Sequence, residues 1–260
     1  MSLQEMIAPL AGLVVQAGTF VKEFRQKYPL GTILKADNSP ITIADKASHD
    51  ILVDGLKKYY PDIPTISEED IPQGAFYAKR FFLIDPIDGT RDYIKGTDNY
   101  CINLALIENN RPILGIIYIP EQQELFFALY QQGSFKVENH NVARAVPIKI
   151  ADYKADMMTM TISHNSKSQV IPDNFMPYLS EYPVIYMGSA QKFTLIAAGI
   201  ADFYPRMGQT GEWDTASGDI LIHEAGGFVV DMQGKKLEYG KKDFLNGAFF
   251  AYSHPEFFNR

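Results

Sequence analysis

The stretch that most restricts the fold is Phe81-Phe82-Leu83-Ile84-Asp85-Pro86-Ile87-Asp88-Gly89-Thr90, an apolar run that enters two acids, a proline, a glycine and a threonine. The apolar run predicts a buried strand, which Pro86 and Gly89 are expected to end within a few residues. Asp85 and Asp88 then stand where the backbone leaves a sheet, and the amides of Gly89 and Thr90 open a helix. Carboxylates bind hard cations such as magnesium, and amides at a helix N-terminus bind anions. The corner suits a metal ion and a phosphate together.

Upstream, Met6, Leu10, Leu13, Val14, Ala17, Val21 and Phe24 have helical spacing, ended by Tyr28-Pro29 and Gly31. After the loop Asp37-Asn38-Ser39-Pro40, Thr42-Ile43-Ala44-Asp45 opens a second helix through Ala47, Ile51 and Leu56. Thr42 can cap it, and Asp45 is favoured in its first turn by the dipole alone. A short strand at Thr65-Ile66-Ser67 then ends in Glu68-Glu69-Asp70. Taken singly such an acid run is a solvated loop; beside the Asp85 corner, two adjacent strands deliver carboxylates from one edge. An antiparallel meander follows at Cys101–Glu108, Ile113–Ile119, Leu125–Leu129 and Ser134–Val137, with turn signals between.

From Val146 the pattern changes to short apolar strands (Met157–Ile162, Val184–Tyr186, Ala201–Tyr204, Phe228–Val230) alternating with helical segments. Residues 1–148 and 149–260 are therefore read as two halves. Met157, Met158 and Met160 are expected to fill core. Lys192, in the first turns of a helix at Ser189–Ala198, opposes the dipole preference and answers either solvent or an anion. Arg206 follows a strand, and Asp214 in Trp213-Asp214-Thr215-Ala216-Ser217-Gly218 is either an N-cap or a ligand. Gly226-Gly227 closes that helix.

With 260 residues, 46% hydrophobic and 21% charged, the chain has the composition of an ordinary globular protein able to bury a large core. A formal charge of -7 argues against a nucleic-acid polymer as partner. Setting aside Asp45, Glu68, Glu69, Asp85, Asp88 and Asp214 leaves acids and bases close to balance, so the acidity is expected to be one local cluster. No export signal and no apolar run long enough for a bilayer are evident. The single Cys101 excludes an internal disulfide, and a cytoplasmic setting is expected. The five histidines form no paired metal spacing, and no P-loop or G-x-S-x-G elbow occurs.

Asp85-Pro86-Ile87-Asp88-Gly89-Thr90, with Ser67-Glu68-Glu69-Asp70, Trp213-Asp214-Thr215-Ala216-Ser217-Gly218 and Thr42-Ile43-Ala44-Asp45, resembles the inositol monophosphatase superfamily of magnesium-dependent phosphatases. The likeness runs from about Asn38 to Asn246. Asn38-Ser39-Pro40, Asn103-Leu104-Ala105-Leu106-Ile107, Pro112-Ile113-Leu114-Gly115, Ser189 through Lys192-Phe193 and Tyr204-Pro205-Arg206 are similar to its bacterial 3'(2'),5'-bisphosphate nucleotidase branch. At Ser163-His164-Asn165-Ser166-Lys167 the chain departs from the arginine and histidine common in that branch.

The resemblance implies an α/β (α+β layered) fold, a five-layer αβαβα sandwich with an antiparallel sheet in the N-terminal half and a mixed sheet in the C-terminal half. It implies that Glu68, Asp85 and the carbonyl of Ile87 hold one Mg2+, that Asp85, Asp88 and Asp214 hold a second, and that Asp45 and Glu68 flank a weaker third. Glu68 and Thr90 would orient a water, with Asp45 and Thr42 also in the catalytic set. Ile87, Asp88, Gly89, Thr90 and Asp214 would face the phosphate, and Ser189, Lys192 and Arg206 the nucleotide and its second phosphate. The implied substrate is a small phosphorylated nucleotide, adenosine 3',5'-bisphosphate, handled by a monomer or homodimer. Lithium sensitivity and a part in sulfur assimilation follow from the same likeness.

An inositol monophosphatase or broad sugar-phosphate phosphatase is the nearest alternative. A non-catalytic nucleotide sensor is the alternative of another class, disfavoured because every implied ligand is present. Aspartyl-phosphate chemistry of the haloacid dehalogenase kind wants its acids one residue apart, whereas Pro86 and Ile87 both separate Asp85 from Asp88.

Overall fold

A computed structural model describes residues 1–27, 32–34, 40–72, 78–154, 157–163 and 181–257, with the backbone alone at 32–34 and 40–42. The expected turn at 28–31, the loop at 37–39 and His164 with the rest of 164–167 lie outside the described residues. Helix α1 (Leu3–Lys27) opens on a reciprocal cap, in which Ser2 N donates to Glu5 Oε2 at 2.7 Å and Glu5 N to Ser2 Oγ at 3.3 Å. Six of its seven expected apolar positions are buried, and Phe24 is half-buried. By length and composition α1 matches a membrane span, a property the sequence reading had not credited to any segment. Its apolar face instead packs into the core against the first sheet.

Strands β1 (Thr32–Leu34) and β2 (Pro40–Thr42) pair with each other. Helix α2 (Ile43–Tyr59) follows, burying Ala44, Asp45, Ser48, Leu52 and Leu56; Ala47 and Ile51 are only half-buried. Strands β3 (Thr65–Ser67) and β4 (Arg80–Asp88) come next, then the short helix α3 (Thr90–Ile94). Strands β5 (Cys101–Glu108), β6 (Arg111–Ile119), β7 (Glu124–Leu129) and β8 (Gly133–Glu138) form the expected meander. Strand β9 (Val146–Ile148), where the pattern was expected to change, pairs antiparallel with β8 and extends the same sheet. The resulting seven-stranded sheet runs β3-β4-β5-β6-β7-β8-β9 and is antiparallel except for the parallel pair β3 and β4.

The second half contains β10 (Met160–Ile162), β11 (Val184–Tyr186), α4 (Gln191–Ala197), β12 (Phe203–Arg206), β13 (Thr210–Gly211) and α5 (Ala216–Glu224). Strands β14 (Phe228–Asp231), β15 (Leu245–Asn246) and β16 (Phe249–Tyr252) complete it. Its five-stranded sheet, ordered β11-β10-β12-β16-β14, is mixed.

Alternation along the strands explains the layering. Phe82, Ile84, Ile102, Leu104 and Leu106 face α1 and α2, while Phe81, Leu83, Ala105 and Ile107 face α4, α5 and the second sheet. Across that second sheet Tyr204 and Phe249 point inward, and Phe203 and Phe250 outward. The described residues thus build four successive layers, helix, sheet, helix, sheet, of the α/β fold. Both faces of β4 are covered, which is why Phe81–Ile84 reads as a continuous apolar run; β5, expected to alternate, is likewise buried on both faces from Cys101 to Ile107. Of the three methionines expected in the core, Met158 and Met160 are buried, but Met157 lies before β10 and is exposed.

Candidate active site

Strand β4 does not stop at Ile84. It continues through Pro86 to Asp88, because the ladder to β5 skips there: Asp85 pairs with Asn103, and Asp88 with Cys101. One extra residue on β4 makes a bulge, and a proline fits where no ladder bond is required. In a regular strand Asp85 and Asp88 would point to opposite faces; the extra residue brings both to one side. Gly89, at φ +94, turns the chain into α3, and a side chain there would meet Asn99 O at 2.7 Å.

Asp214 joins them from the second half. The sequence allowed it to be an N-cap of α5, but Thr215 occupies that position, and Asp214 Oδ2 accepts from Gly211 N at 2.8 Å. One carboxylate oxygen from each of Asp85, Asp88 and Asp214 lies within 4.8 Å of the others. Glu68, in the turn after β3, meets the group through a hydrogen bond to Asp85. The four acids expected to act together are therefore brought together. Asp45 is buried and receives the Thr90 hydroxyl at 3.2 Å, with Ile87 O a second acceptor at 3.1 Å. Thr42 ends β2 directly before α2, and its side chain lies outside the described residues.

The electrostatics are those of crowded, buried carboxylates. Burial, then the charges of Glu68, Asp88 and Asp214, push Asp85 well above the usual carboxylate range. Burial raises Asp88 against the pull of Lys192. Burial and the charges of Asp88 and Glu68 carry Asp214 to about 8. Crowded carboxylates with oxygen-only donors fit a hard divalent ion, which would reverse all three shifts.

Around the acids opens a cleft of about 430 Å³ lined by Glu68, Asp88, Gly89, Thr90, Lys192 and Arg206 among others. Lys192 is 3% exposed, and burial lowers it to about 8 although Asp88 opposes that shift. Its ammonium donates to Ser189 O at 2.6 Å and Met187 O at 3.2 Å and lies 5.0 Å from the Tyr204 ring centre. Arg206 Nε is held by Gly208 O at 3.3 Å. Ser189 adopts φ 49, an uncommon conformation for a residue with a side chain, and also lines the cleft. Tyr204, Thr210, Thr215 and Phe249 also line the cleft; Tyr204 and Thr215 stood in the quoted motifs without a role, and Thr210 and Phe249 lay outside them. Asn103, which donates to Asp88 Oδ2 at 3.1 Å, stood in the sequence only as part of a motif similar to the nucleotidase branch, with no role at the site.

Fold and site together define a layered α/β protein with a buried acid cluster beside a cationic cleft. The inositol monophosphatase family model matches residues 2–258, and the chain belongs to that family. It is 37% identical over 224 residues, 85% of this chain and 88% of the relative, to the 3'(2'),5'-bisphosphate nucleotidase CysQ of Escherichia coli K12. Identity to the Buchnera aphidicola CysQ is 33%, covering 95% of this chain and 94% of that one. The crystal structure of CysQ from Bacteroides thetaiotaomicron superposes with a TM-score of 0.79 at 30% identity, covering 95% of this chain and 96% of that one.

Proposed function

We infer that the chain is a magnesium-dependent phosphatase that removes the 3'-phosphate of adenosine 3',5'-bisphosphate, giving AMP and phosphate. The observation that carries this reading is the convergence of Asp85, Asp88 and Asp214 from both halves of the chain beside buried Lys192. Nucleotidase relatives spanning most of the chain support the same substrate class.

Glu68, Asp85 and the Ile87 carbonyl would hold one divalent ion, Asp85, Asp88 and Asp214 a second, with Asp45 and Glu68 flanking a weaker third. Bound magnesium would supply a water of lowered pKa and neutralise charge on the phosphate oxygens. Glu68 orients the attacking water together with Thr90. When the Thr90 hydroxyl gives its one proton to Asp45, its lone pairs are left to accept from that water. The amides of Gly89 and Thr90 face the phosphate as α3 begins. Two N–H bonds of Lys192 are committed to carbonyls, and the third, with Arg206 and Ser189, addresses the second phosphate. An inositol monophosphate has no second phosphate to occupy those cations.

The test is a phosphate-release panel on adenosine 3',5'-bisphosphate, inositol 1-phosphate and sugar monophosphates. A clear preference for the bisphosphate is expected; a preference for the inositol ester would assign the other branch of the family. Inhibition by millimolar lithium, a cytoplasmic location and a part in sulfur assimilation belong to the same reading.

A further inference from the structure

We propose that Asn103 is the positioning residue of the Asp88 carboxylate, selecting which oxygen is offered to the cation. The proposal rests on the reading that Asp88 binds a divalent ion. Asn103 is 1% exposed, so each polar atom of its amide needs a partner. Its Nδ2 donates to Asp88 Oδ2 at 3.1 Å, and its Oδ1 accepts from the Cys101 thiol at 3.4 Å. The reversed amide would set an oxygen against the Asp88 carboxylate, so the orientation with Nδ2 toward Asp88 is the one that satisfies both groups.

The same Asp88 oxygen receives the Ala190 N–H at 2.5 Å; the Cys101 sulfur lies 3.7 Å from it, with its one proton given to Asn103 Oδ1. The Asn103 and Ala190 N–H groups converge on Oδ2, one from the first sheet and one from the turn that precedes α4. That commits Oδ2 to protein donors and leaves Oδ1 as the oxygen available to a cation. The bulge makes this possible: Asn103 is the ladder partner of Asp85, yet its side chain reaches Asp88. Without the amide, one of two restraints on carboxylate rotation is gone, and groups that orient metal ligands typically change affinity by about 10- to 100-fold.

The experiment is a Mn2+ titration followed by electron paramagnetic resonance on the full chain, comparing wild type with Asn103→Leu and Asn103→Ser. Leucine keeps the volume and removes the donor; serine leaves room for a water that can donate in its place. Asn103→Leu is expected to weaken one class of Mn2+ by about tenfold or more while the other stays within about twofold. Asn103→Ser should fall between it and wild type, and saturating metal should restore most of kcat in both. Melting in chelator reports loosening of the fold. The proposal is overturned if both classes stay within about twofold of wild type, or if both weaken in parallel with a lowered Tm. Should Asn103→Leu not fold, Asn103→Ser is read by the same criterion. A wild type that binds no Mn2+ would defeat the metal reading itself.

Discussion

Asp214 holds its proton up to about 8 in the metal-free fold, whereas its ordinary value is 3.8. Across that interval the folded state binds more protons than the unfolded chain. The stabilising contribution is therefore complete below the ordinary value and is lost as pH rises through about 8. Asp85 and Asp88 shift in the same direction. In chelator, the protein is expected to melt several degrees lower at about pH 8 than at about pH 6, and magnesium should raise Tm more at the higher pH. A metal-free Tm that climbs over this range would contradict the crowding of these acids. Lys192→Met addresses the other side of the cleft. Loss of a charged hydrogen bond of about 1.5–3 kcal/mol should cut kcat/KM for the bisphosphate by roughly tenfold to a hundredfold. A monophosphate ester should be nearly unaffected, and equal losses on both would remove Lys192 from second-phosphate recognition. The residue types of this site were legible because acids at strand ends announce themselves. The orientation of Asp88 was not, since it depends on an amide from another strand.

Among the elements, β4 shows where sequence pattern stops being informative. Proline normally ends a ladder, so an apolar run meeting Pro86 reads as a strand that stops. The register that carries β4 on to Asp88 belongs to the pair β4 and β5 and is invisible in either strand alone. Asp214 is similar: its place before α5 matches a cap, and only the fold shows that its carboxylate turns back to Gly211 instead. Helix α5 depends on Gly115 of β6, where an added Cβ would lie 2.8 Å from Ser217 O and 2.9 Å from Ser217 Cα. Backbone cannot yield as a side chain can, so Gly115→Ala is expected to cost about 1–3 kcal/mol in urea unfolding. It should also weaken Mn2+ binding by shifting the segment behind Asp214. A neutral substitution would show that α5 has room to move.

At the scale of the whole molecule, the halves on either side of residue 148 share an interior. Phe81, Leu83 and Ile107 lie in one cluster with Phe193, Ile220, Tyr204 and Phe249. The antiparallel meander was readable from its turn spacing, but the shared cluster was not, because it joins residues distant in the chain. The halves are expected to unfold together, with emission of the single Trp213 and far-UV circular dichroism giving coincident transitions. Two separated transitions would mean that each half holds its own core. The site depends on that joining, since Asp214 reaches Asp85 and Asp88 only across it. The most direct measurement is phosphate release from adenosine 3',5'-bisphosphate by wild type and Asp214→Asn, each in chelator and in magnesium. Wild type should turn over only with magnesium, and folded Asp214→Asn should lose at least about a hundredfold at the same metal concentration. Release that persists in chelator, or that Asp214→Asn leaves unchanged, would contradict a catalytic metal site built from both halves.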